Sequence, residues 1–374
     1  MKFIVSSSAL LKHLTQINGV IVNNPVMPIL ENFLFEIQDG ILIITASDLQ
    51  TTMTTEMAVE AQEDARICVP ARILMDTLKN LPEQPVTFHV DLDTFSVELS
   101  VENGRYKLAG ENAIDFPRIP LASKTDSIEM PADVLGKAIT YTIFCTSNDD
   151  LRPAMMGVLF QITEDKAVFV ATDGHRLVRY TREDVVSATE ANLILPKKAL
   201  NLLKSALPND SSTVTISYTL SNAFFTFGNV RLICRLIDER FPDYEAVIPV
   251  SNPNIVTLQR LDFLNSLRRI QIYSNKSSNQ IRLKVGADEL TLSAEDTDFN
   301  NEATESVPGE YDGTPLEIGF TAKFLIEMVN NVDGNMLDFE LMAPNKPGLI
   351  IPKKVEEGEA ILMLIMPVML NNYV

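Results

Sequence analysis

The sequence predicts an α+β fold in which three copies of one domain follow one another, each a sheet with two helices on one face. Three observations predict it. Sequence anchors recur at a nearly constant spacing, each copy holds two segments of helical periodicity, and segments rich in β-branched and aromatic residues surround them. The length of 374 residues also suits two or three domains of ~100–200 residues each.

The first anchor is a strand-like run that ends in Ala-x-Asp. It closes at Asp48, Asp173 and Asp296, which are 125 and 123 residues apart. The second anchor opens a segment of helical periodicity and recurs at spacings of 126 and 125, in residues 69–74, 195–200 and 320–325. A third anchor is Phe-Pro, with Phe116 and Phe241 again 125 apart.

Three independent anchors at one period make coincidence a poor explanation. The period predicts domains at residues 1–121, 128–249 and 250–374. The polar stretch 120–130 and the segment 250–254 are the expected linkers.

Each copy is predicted to run as a short strand, a helix, two strands, a second helix, and then three or four strands. Apolar residues three or four apart mark the first helix, in residues 9–17, 134–142 and 261–267. The second helix follows the second anchor, and proline is expected in its first turn, where the missing donor costs nothing. Segments 86–90, 214–218 and 223–227 have the composition of strands.

The charge is unevenly distributed. A net charge of −19 argues against nucleic acid at first sight, because phosphate contacts need Lys and Arg. However, the helical segments together carry +7 and the remainder −26; these segments are residues 6–17, 69–82, 130–145, 195–208, 258–274 and 320–332. If all helices share one side of the sheets, that side is basic. This favours nucleic acid held through its backbone without base readout, although Lys and Arg that only decorate solvated helix faces remain the alternative.

No pattern typical of catalysis or cofactor binding is found. Phosphate-binding glycine motifs are absent, and His13, His89 and His175 have no metal-ligand partner at helical spacing. Residues 296–300 imitate the start of a calcium loop but lack its glycine and its closing acid, and residues 91–93 suit a hairpin turn better than a metal pair. The sequence therefore predicts no cofactor and no metal.

The three cysteines, Cys68, Cys145 and Cys234, lie far apart, which argues against disulfides and favours buried thiols in a reducing cytoplasm. The N-terminus has no sustained apolar segment, and the apolar run at residues 360–370 is short and contains Pro367. We therefore expect a cytoplasmic protein without a membrane span.

One cluster stands apart, at residues 171–177. Its Asp-Gly pair turns the chain after a buried strand and presents His175 and Arg176 at the rim. An enzyme would use His175 as an acid or a base. A capped turn with a solvated arginine is the alternative.

With the triple repeat, the basic helices and the motifs at residues 171–177 and 240–244, the chain resembles the β subunit of bacterial DNA polymerase III, the sliding clamp family, over essentially its whole length. Residues 1–3, 28–30, 69–72 and 366–367 are also similar to the family pattern. The resemblance implies three clamp domains and two chains that close head to tail, the first domain of one against the third of the other. Twelve helices would line the resulting ring, which encircles double-stranded DNA, slides without reading its sequence, and catalyses nothing.

The resemblance also implies two kinds of binding residue. The candidate DNA-facing residues are Arg72, Lys197, Lys198, Lys204, Arg268 and Arg269. A groove that takes a short Gln/Leu/Phe-type peptide from the replicative polymerase, the clamp loader or repair proteins would comprise Met155, Thr172, Gly174, His175, Arg176, Leu177, Pro242, Val247, Leu364, Ile365, Met366, Pro367, Val368 and Leu370. Methionine and aliphatic side chains suit such an adaptable slot.

The sequence departs from the family pattern at several positions. Asn24 and Asp149 suit phosphate less well than the basic or amide residues often found there, and Ala246 and Met369 replace other groove residues. Residues 371–374 extend beyond the usual end and either lie across the slot or fray. The Met-rich C-terminal segment is alternatively an ordinary edge strand of the third domain.

Two rival functions remain. One is an enzyme that uses Asp173, His175 and Arg176 in a cleft. The other is a structural repeat protein that never meets DNA.

Overall fold

A computed structural model describes residues 1–24, 26–61, 63–121, 126–286, 289–311 and 313–370. The first predicted linker lies partly outside the described residues, and the C-terminal extension 371–374 lies wholly outside them. The chain divides into two compact units. The first unit comprises Met1–Gly136 and Lys198–Leu236, and the second comprises Lys137–Lys197 and the chain from Ile237 onward.

The first copy contains two helices and nine strands: β1 (Lys2–Ser6), α1 (Ser7–Ile17), β2 (Asn32–Gln38), β3 (Ile41–Ser47), β4 (Thr51–Ala58), β5 (Glu60–Ala61), β6 (Ala65–Pro70), α2 (Ala71–Lys79), β7 (Pro85–Asp91), β8 (Ser96–Val101) and β9 (Gly104–Ala109). The second contains β10 (Asp126–Pro131), α3 (Ala132–Thr142), β11 (Gly157–Ile162), β12 (Ala167–Thr172), β13 (Arg176–Arg182), β14 (Ala191–Pro196), α4 (Lys197–Ala206), β15 (Thr213–Tyr218), β16 (Asn222–Phe227) and β17 (Val230–Arg235). The third contains β18 (Asn254–Gln259), α5 (Arg260–Gln271), β19 (Gln280–Val285), β20 (Glu289–Asp296), β21 (Asn301–Tyr311), β22 (Leu316–Thr321), α6 (Ala322–Asn330), β23 (Met336–Leu341), β24 (Gly348–Pro352) and β25 (Glu359–Ile365).

The three tandem α+β domains and the six helices are confirmed, but the expected two strands between the helices were wrong. Among the residues that the structure describes, four strands longer than two residues lie between α1 and α2. β4 is one of the strands that the sequence did not indicate. Its sequence is rich in threonine and looks polar, although most of its first half is buried. Proline also sits one residue earlier than expected, since Pro70 ends β6 and precedes the first residue of α2.

The strands of each unit form extended antiparallel sheets. The first unit has a five-stranded sheet, β5-β1-β7-β8-β9, and an eight-stranded sheet, β10-β15-β16-β17-β4-β3-β2-β6. The second unit has a twelve-stranded sheet, β14-β11-β12-β13-β25-β24-β23-β18-β21-β20-β19-β22. The strands of the first and second copies are therefore each divided between two sheets.

Successive copies are joined by one antiparallel strand pair, which we term a seam. The first seam pairs β4 with β17, beginning at Thr51 opposite Cys234. The second seam pairs β13 with β25, beginning at Arg176 opposite Ile365. Each seam continues a sheet from one copy into the next.

The helices pack through their apolar faces. In α1, Leu10, Leu14 and Ile17 are buried, and the Ser6 hydroxyl caps the first turn by accepting from the Ala9 amide at 3.4 Å. In the third copy α5 and α6 pack against each other, with Phe263 of α5 buried. No helix among the described residues is long and apolar enough to cross a membrane.

The aspartate of the first anchor has one structural role in all three copies, because its carboxylate closes the hairpin that follows. Asp48 accepts from the backbone amides of Gln50 and Thr51 at 3.0 and 2.6 Å. Asp296 accepts from the amide of Asp298 at 3.2 Å. The repeat thus preserves a hydrogen-bonded turn.

Candidate functional site

The turn between β12 and β13 is held by its own side chains. Asp173 Oδ1 accepts from the amides of His175 and Arg176 at 2.9 and 2.8 Å. The Thr172 hydroxyl donates to the Arg176 carbonyl at 2.6 Å and accepts from the Gly174 amide at 3.1 Å. Gly174 has a φ of +87°, a conformation that favours glycine. The predicted Asp-Gly turn is confirmed.

Arg176 is not the solvated arginine of the alternative interpretation, since only 5% of it is exposed. Its Nε donates to Asp173 Oδ2 at 3.1 Å and its Nη1 donates to Glu327 Oε2 at 2.5 Å. The guanidinium carbon lies 4.4 Å from the centre of the Phe324 ring and 5.8 Å from that of Phe144. Arg176 therefore fastens the hairpin to α6 by charge and by cation–π contact.

His175 is exposed, and its ring stacks on Phe324 with centres 5.7 Å apart. The backbone carbonyl of His175 accepts from the Met366 amide at 2.9 Å, which ties the turn to the C-terminal segment. These contacts position the imidazole at a rim, as expected. The neighbour of the imidazole is the Phe324 ring, an arrangement that suits a residue in contact with a bound partner.

An apolar cluster lies beneath the rim. Leu177 and Leu364 face each other across the second seam and belong to a buried group with Leu159, Val168, Val170, Ile194, Tyr244 and Leu349. Partly buried side chains pack on this group, namely Ala154, Ile237, Phe241, Ile248, Ile351 and Leu362. Because these outer side chains are only partly covered, the cluster presents apolar surface around the hairpin.

The remaining predicted groove residues lie in three places. Met155 is half-buried in a short 3₁₀ helix, Pro153–Met156, and its carbonyl accepts from the Ser147 amide at 2.8 Å. Pro242 is half-buried and Val247 is exposed, on either side of buried Tyr244. Tyr244 donates from its hydroxyl to Gln161 Oε1 at 2.7 Å, which fixes this loop to β11.

The C-terminal segment is divided by its burial. Ile365 is fully buried, so its side chain offers no surface to a partner, whereas Met366 is 40% exposed. Beyond half-buried Pro367, the Val368 amide donates to the Gly319 carbonyl at 2.9 Å, and a Cβ on Gly319 would meet Leu370 Cδ2 at 2.7 Å. Val368 and Leu370 thus lie along β22. The alternative, an edge strand of the third domain, describes β25 within its own copy, where among the described residues it pairs only with β24, but its other side pairs with β13 of the second copy.

Sequence reasoning missed several residues of this site. Phe324, Glu327, Phe241, Tyr244 and Ile248 contact or surround the predicted groove residues. Phe241 and Tyr244 lie within the motif at residues 240–244, and this aromatic pair on either side of Pro242 was a usable signal. Phe324 and Glu327 carried none, because they reach Arg176 from about 150 positions away.

The candidate DNA-facing residues of the first unit lie on α2 and α4. Arg72 and Lys204 are exposed. Lys198, near the first turn of α4, forms a short ion pair with Asp48 Oδ2. The helices within their observed bounds still total +7, as the sequence indicated.

The candidate DNA-facing residues of the second unit lie on α4 and α5. Lys197 Nζ donates to Asn148 Oδ1 at 3.3 Å, and Arg268 Nη2 donates to Asn330 Oδ1 at 3.2 Å. Arg269 donates to both carboxylate oxygens of Glu305, at 2.8 and 2.6 Å. This hydrogen-bonded guanidinium lowers the pKa of Glu305.

The two departures that concern DNA contact, Asn24 and Asp149, make hydrogen bonds within their own loops. Asn24 Oδ1 accepts from the amides of Val26 and Met27, both at 3.1 Å. Asp149 pairs with Arg152 at 2.9 Å, and this hydrogen bond lowers the pKa of the Asp149 carboxyl. Neither side chain adds positive charge. Among the described residues no group of three or more His, Cys, Asp or Glu could hold a metal ion.

Comparison with known families gives one consistent result. The chain matches the N-terminal domain of the DNA polymerase III beta subunit over residues 1–120. It matches the central domain over residues 129–243 and the C-terminal domain over residues 245–368.

Curated relatives carry the same description. The chain is 28% identical to the beta sliding clamp of Synechococcus elongatus, with all of both chains covered. It is 30% identical to the beta sliding clamp of Haemophilus influenzae, over 90% of this chain and 92% of the relative. Among solved structures, the DNA polymerase III subunit beta of Pseudomonas aeruginosa has a TM-score of 0.94 at 28% identity, covering 99% of this chain and 100% of that one. A DnaN sliding clamp of the same organism, bound to griselimycin, has a TM-score of 0.93.

Proposed function

We propose, from the premise that this chain belongs to the DNA polymerase III beta subunit family, that it is a DNA sliding clamp. It encircles duplex DNA, tethers the replicative polymerase and so confers processivity. It is not a catalyst, and we place it in the cytoplasm at the nucleoid. The observation that carries the proposal is the seam, which occurs twice within the chain and leaves two matching strand edges for a third.

The two matching edges are β9 and β21. Within the described residues, β9 pairs only with β8, although its counterparts β17 and β25 each pair on both sides. In the part of the chain that the structure describes, the edge of β21 opposite β20 is covered by β18 only from Gly309 onward, and no strand pairs with residues 301–308 on that side. Unpaired edges attract another strand, so we infer that β21 of one copy pairs with β9 of a second copy.

The repeat fixes the register of this third seam. Three residues occupy equivalent positions in the repeat, namely Thr51, Arg176 and Asn301. The Thr51 and Arg176 carbonyls accept from the amides of the anchor aspartates Asp48 and Asp173, and Asn301 pairs directly with Asp296. Leu108 is likewise equivalent to Cys234, because the two residues lie at the same distance beyond their hairpin turns, which end at Gly104 in β9 and at Val230 in β17. In the inferred seam Asn301 therefore stands opposite the second copy's Leu108.

Charge supports that register. The register places Glu302 opposite Lys107 of the second copy and Thr304 opposite Arg105 of the second copy. Glu302 also pairs across its own sheet with Glu295, so the acidic side chains share one face. Opposite charges across a strand pair contribute roughly 0.2–1 kcal/mol each and select the partner strand.

Exposed apolar side chains lie beside both edges. In the first unit Ile73 and Tyr106 line a cavity of about 670 Å³ beside β9. In the second unit Ile272 is 66% exposed and Tyr273 follows it, just after α5. Such side chains are typical of the centre of an interface. The contact joins unlike surfaces and would close into a ring after two copies, giving a head-to-tail homodimer.

The helices supply the attraction for DNA. Their +7 is segregated from a strongly acidic remainder, which supports binding of the phosphate backbone without base readout. A closed ring needs no tight contact, because it is linked to the DNA by topology. Weak, non-specific contacts then let it move.

The apolar surface around the 172–177 hairpin is the proposed docking site for partner peptides. Its outer side chains are aliphatic or aromatic, and Met366 adds an adaptable side chain at the rim. We infer that the replicative polymerase, the clamp loader and repair proteins share this site. The griselimycin-bound relative supports a small-ligand site in the family.

Retention on circular DNA tests the function. The dimer is loaded onto nicked circular DNA by its cognate loader, and bound protein is measured before and after the circle is linearised. We expect retention on the circle and loss on linearisation, because only encirclement depends on closure. Retention that survives linearisation, or a protein that is monomeric at micromolar concentration and stays unloaded, would overturn the proposal.

The variant His175→Ala distinguishes the proposed clamp from the enzyme alternative. We expect this variant to weaken binding of a Gln/Leu/Phe-type peptide severalfold, because the ring that stacks on Phe324 is removed. A catalytic turnover that the wild type shows and this variant lacks would support the enzyme instead.

A further inference from the structure

Two of the six candidate DNA-facing cations already hold a carboxylate. Lys198 is paired with Asp48 in the first unit, and Arg269 is bound through two hydrogen bonds to Glu305 in the second. The same arrangement thus occurs on two helices from different copies. Each acid comes from a sheet strand or the turn that follows one, beside the helix.

Asp48 is held firmly in place. Its Oδ1 accepts from two backbone amides of the hairpin, and only 7% of its side chain is exposed. Lys198, by contrast, is 48% exposed and carries its ammonium at the surface. The carboxylate cannot swing away from Lys198 without breaking the turn, so the negative charge stays beside this cation.

Glu305 offers a similar fixed charge. It is half-buried on β21, and its two oxygens match the two donors of the Arg269 guanidinium. That contact also lowers the pKa of Glu305, so its carboxylate stays ionised at lower pH than that of an ordinary glutamate. Arg269 itself remains exposed.

A cation in such a pair contributes less to DNA binding than a free one. To reach a phosphate it must leave its carboxylate, and the unpaired acid then repels the same phosphates. A free cation instead releases condensed counterions from DNA, which makes the affinity fall with salt at a logarithmic slope of about −0.9 per phosphate contact. Within the described residues Lys204 has no acidic partner and serves as the comparison.

We propose that Asp48 and Glu305 attenuate the attraction of the helix faces for DNA, so that the ring holds the duplex weakly enough to slide. This inference rests on the proposed function, because it requires that α4 and α5 face DNA. The two acids are thus functional residues of the DNA-facing surface, although neither touches DNA.

Asp48→Asn tests the proposal with little change of structure, since the asparagine Oδ1 still accepts from the two amides. Binding of the full-length protein to a short blunt-ended fluorescent duplex is measured by anisotropy at several salt concentrations. We expect the salt slope to steepen by about 0.9, so that a fourfold rise in salt weakens the variant about 3.5-fold more than the wild type. Loaded rings of the variant should also diffuse more slowly along DNA.

Lysine variants show whether the effect passes through the ion pair. Lys204→Gln should lose about one phosphate contact, whereas Lys198→Gln should lose much less. Asp48→Asn added to Lys198→Gln should leave the salt slope unchanged, because no cation is then released to contact a phosphate. An equal loss from both lysine variants, or a full effect of Asp48→Asn without Lys198, would overturn the inference.

Glu305→Gln gives an independent test in the second unit. It is measured alone and combined with Arg269→Gln, which removes the cation that Glu305 holds. Its dimerisation is checked by sedimentation, because Glu305 lies on β21. If the wild type neither binds the duplex nor is retained on circles, the proposed function fails. If the wild type does both and neither acid variant steepens the salt slope, only the attenuating role fails.

Discussion

Arg176 shows how a single side chain can decide the geometry of a binding site. It is buried, it holds two carboxylates, and it covers the Phe324 ring. The sequence located this residue within a turn but could not reveal its burial, because Phe324 and Glu327 come from a distant helix. A local motif predicts the backbone of a turn, whereas tertiary contacts decide where its side chains point.

Gly174 is the second position where geometry limits the side chain. Gly174→Ala would force an alanine into a φ of +87°, and its Cβ would lie 2.7 Å from Arg152 Nη1. We expect a loss of about 1–2 kcal/mol in stability and a severalfold weaker peptide affinity, measured by calorimetric melting and peptide titration.

Gly228→Ala is the matched control, because its φ is +52° and its Cβ would meet nothing within 4 Å. It should lose stability to a similar degree and leave peptide binding unchanged. Equal effects of both variants on peptide binding would contradict a specific role for the Gly174 turn.

His13 should make stability depend on pH. Its Nδ1 lies 2.7 Å from the Thr55 hydroxyl and 2.9 Å from Asn229 Nδ2, and burial together with nearby Lys12 lowers its pKa below 6.5. The unfolded chain therefore binds the proton more readily than the folded one. The stabilisation from neutral His13 is present above about pH 6.5 and is lost as the pH falls below it.

His13→Asn tests this, because an asparagine oxygen can accept in place of Nδ1 but does not titrate. Melting temperatures of the two proteins should converge as the pH is lowered from 7.5 to about 5.5. A constant difference across that range would show that His13 does not titrate on unfolding.

At the scale of elements, the seam organises the molecule. The repeat period and the helices could be predicted, since apolar spacing and capping are local signals. The seams could not, because pairing of β4 with β17 joins Thr51 to a residue more than 180 positions away. The strand β4 itself was missed, as its threonines face a buried surface that only the neighbouring strands create.

The inferred third seam predicts a charge swap. Lys107→Glu and Glu302→Lys should each place like charges opposite one another, and each would occur at both interfaces of the proposed ring. We expect each single variant to raise the dimer dissociation constant about tenfold or more, measured by sedimentation, since like charges across a strand pair are destabilising.

The double variant should restore dimerisation to within about threefold of the wild type, because the opposite charges face each other again. Lys166→Glu, an exposed change in the β11–β12 turn, should have no effect. Failure of the double variant to recover would reject the register, although not the dimer itself.

At the scale of the whole molecule, the proposed clamp would use its charge and its ring closure for different purposes: charge would attract DNA, and closure would retain it. The net charge of −19 alone would have excluded DNA, and only its segregation onto helices reversed that interpretation. Composition therefore predicted less than the distribution of charge along the repeat. The family resemblance implied that the first domain of one copy meets the third domain of another. The strand edges proposed for that contact could not be predicted, since they depend on which edges remain open after folding.

Salt should distinguish the two tasks. Binding of a short linear duplex should weaken steeply as salt rises, because it depends on phosphate contacts. Loaded rings on closed circles should remain bound over the same range, because their linkage does not. Parallel salt dependence in the two assays would mean that retention is electrostatic.

In the proposed ring, the seam would also determine where the assembly opens. Two of its three kinds of seam join strands of one chain, so a strand that separates is kept nearby by the polypeptide and rejoins at a high effective concentration. The third has no covalent tether, and a broken contact there is opposed only by the other half of the ring. One type of strand pairing would thus give two seams that reform after separation and one that can open, and DNA would enter the proposed ring at the seam that opens.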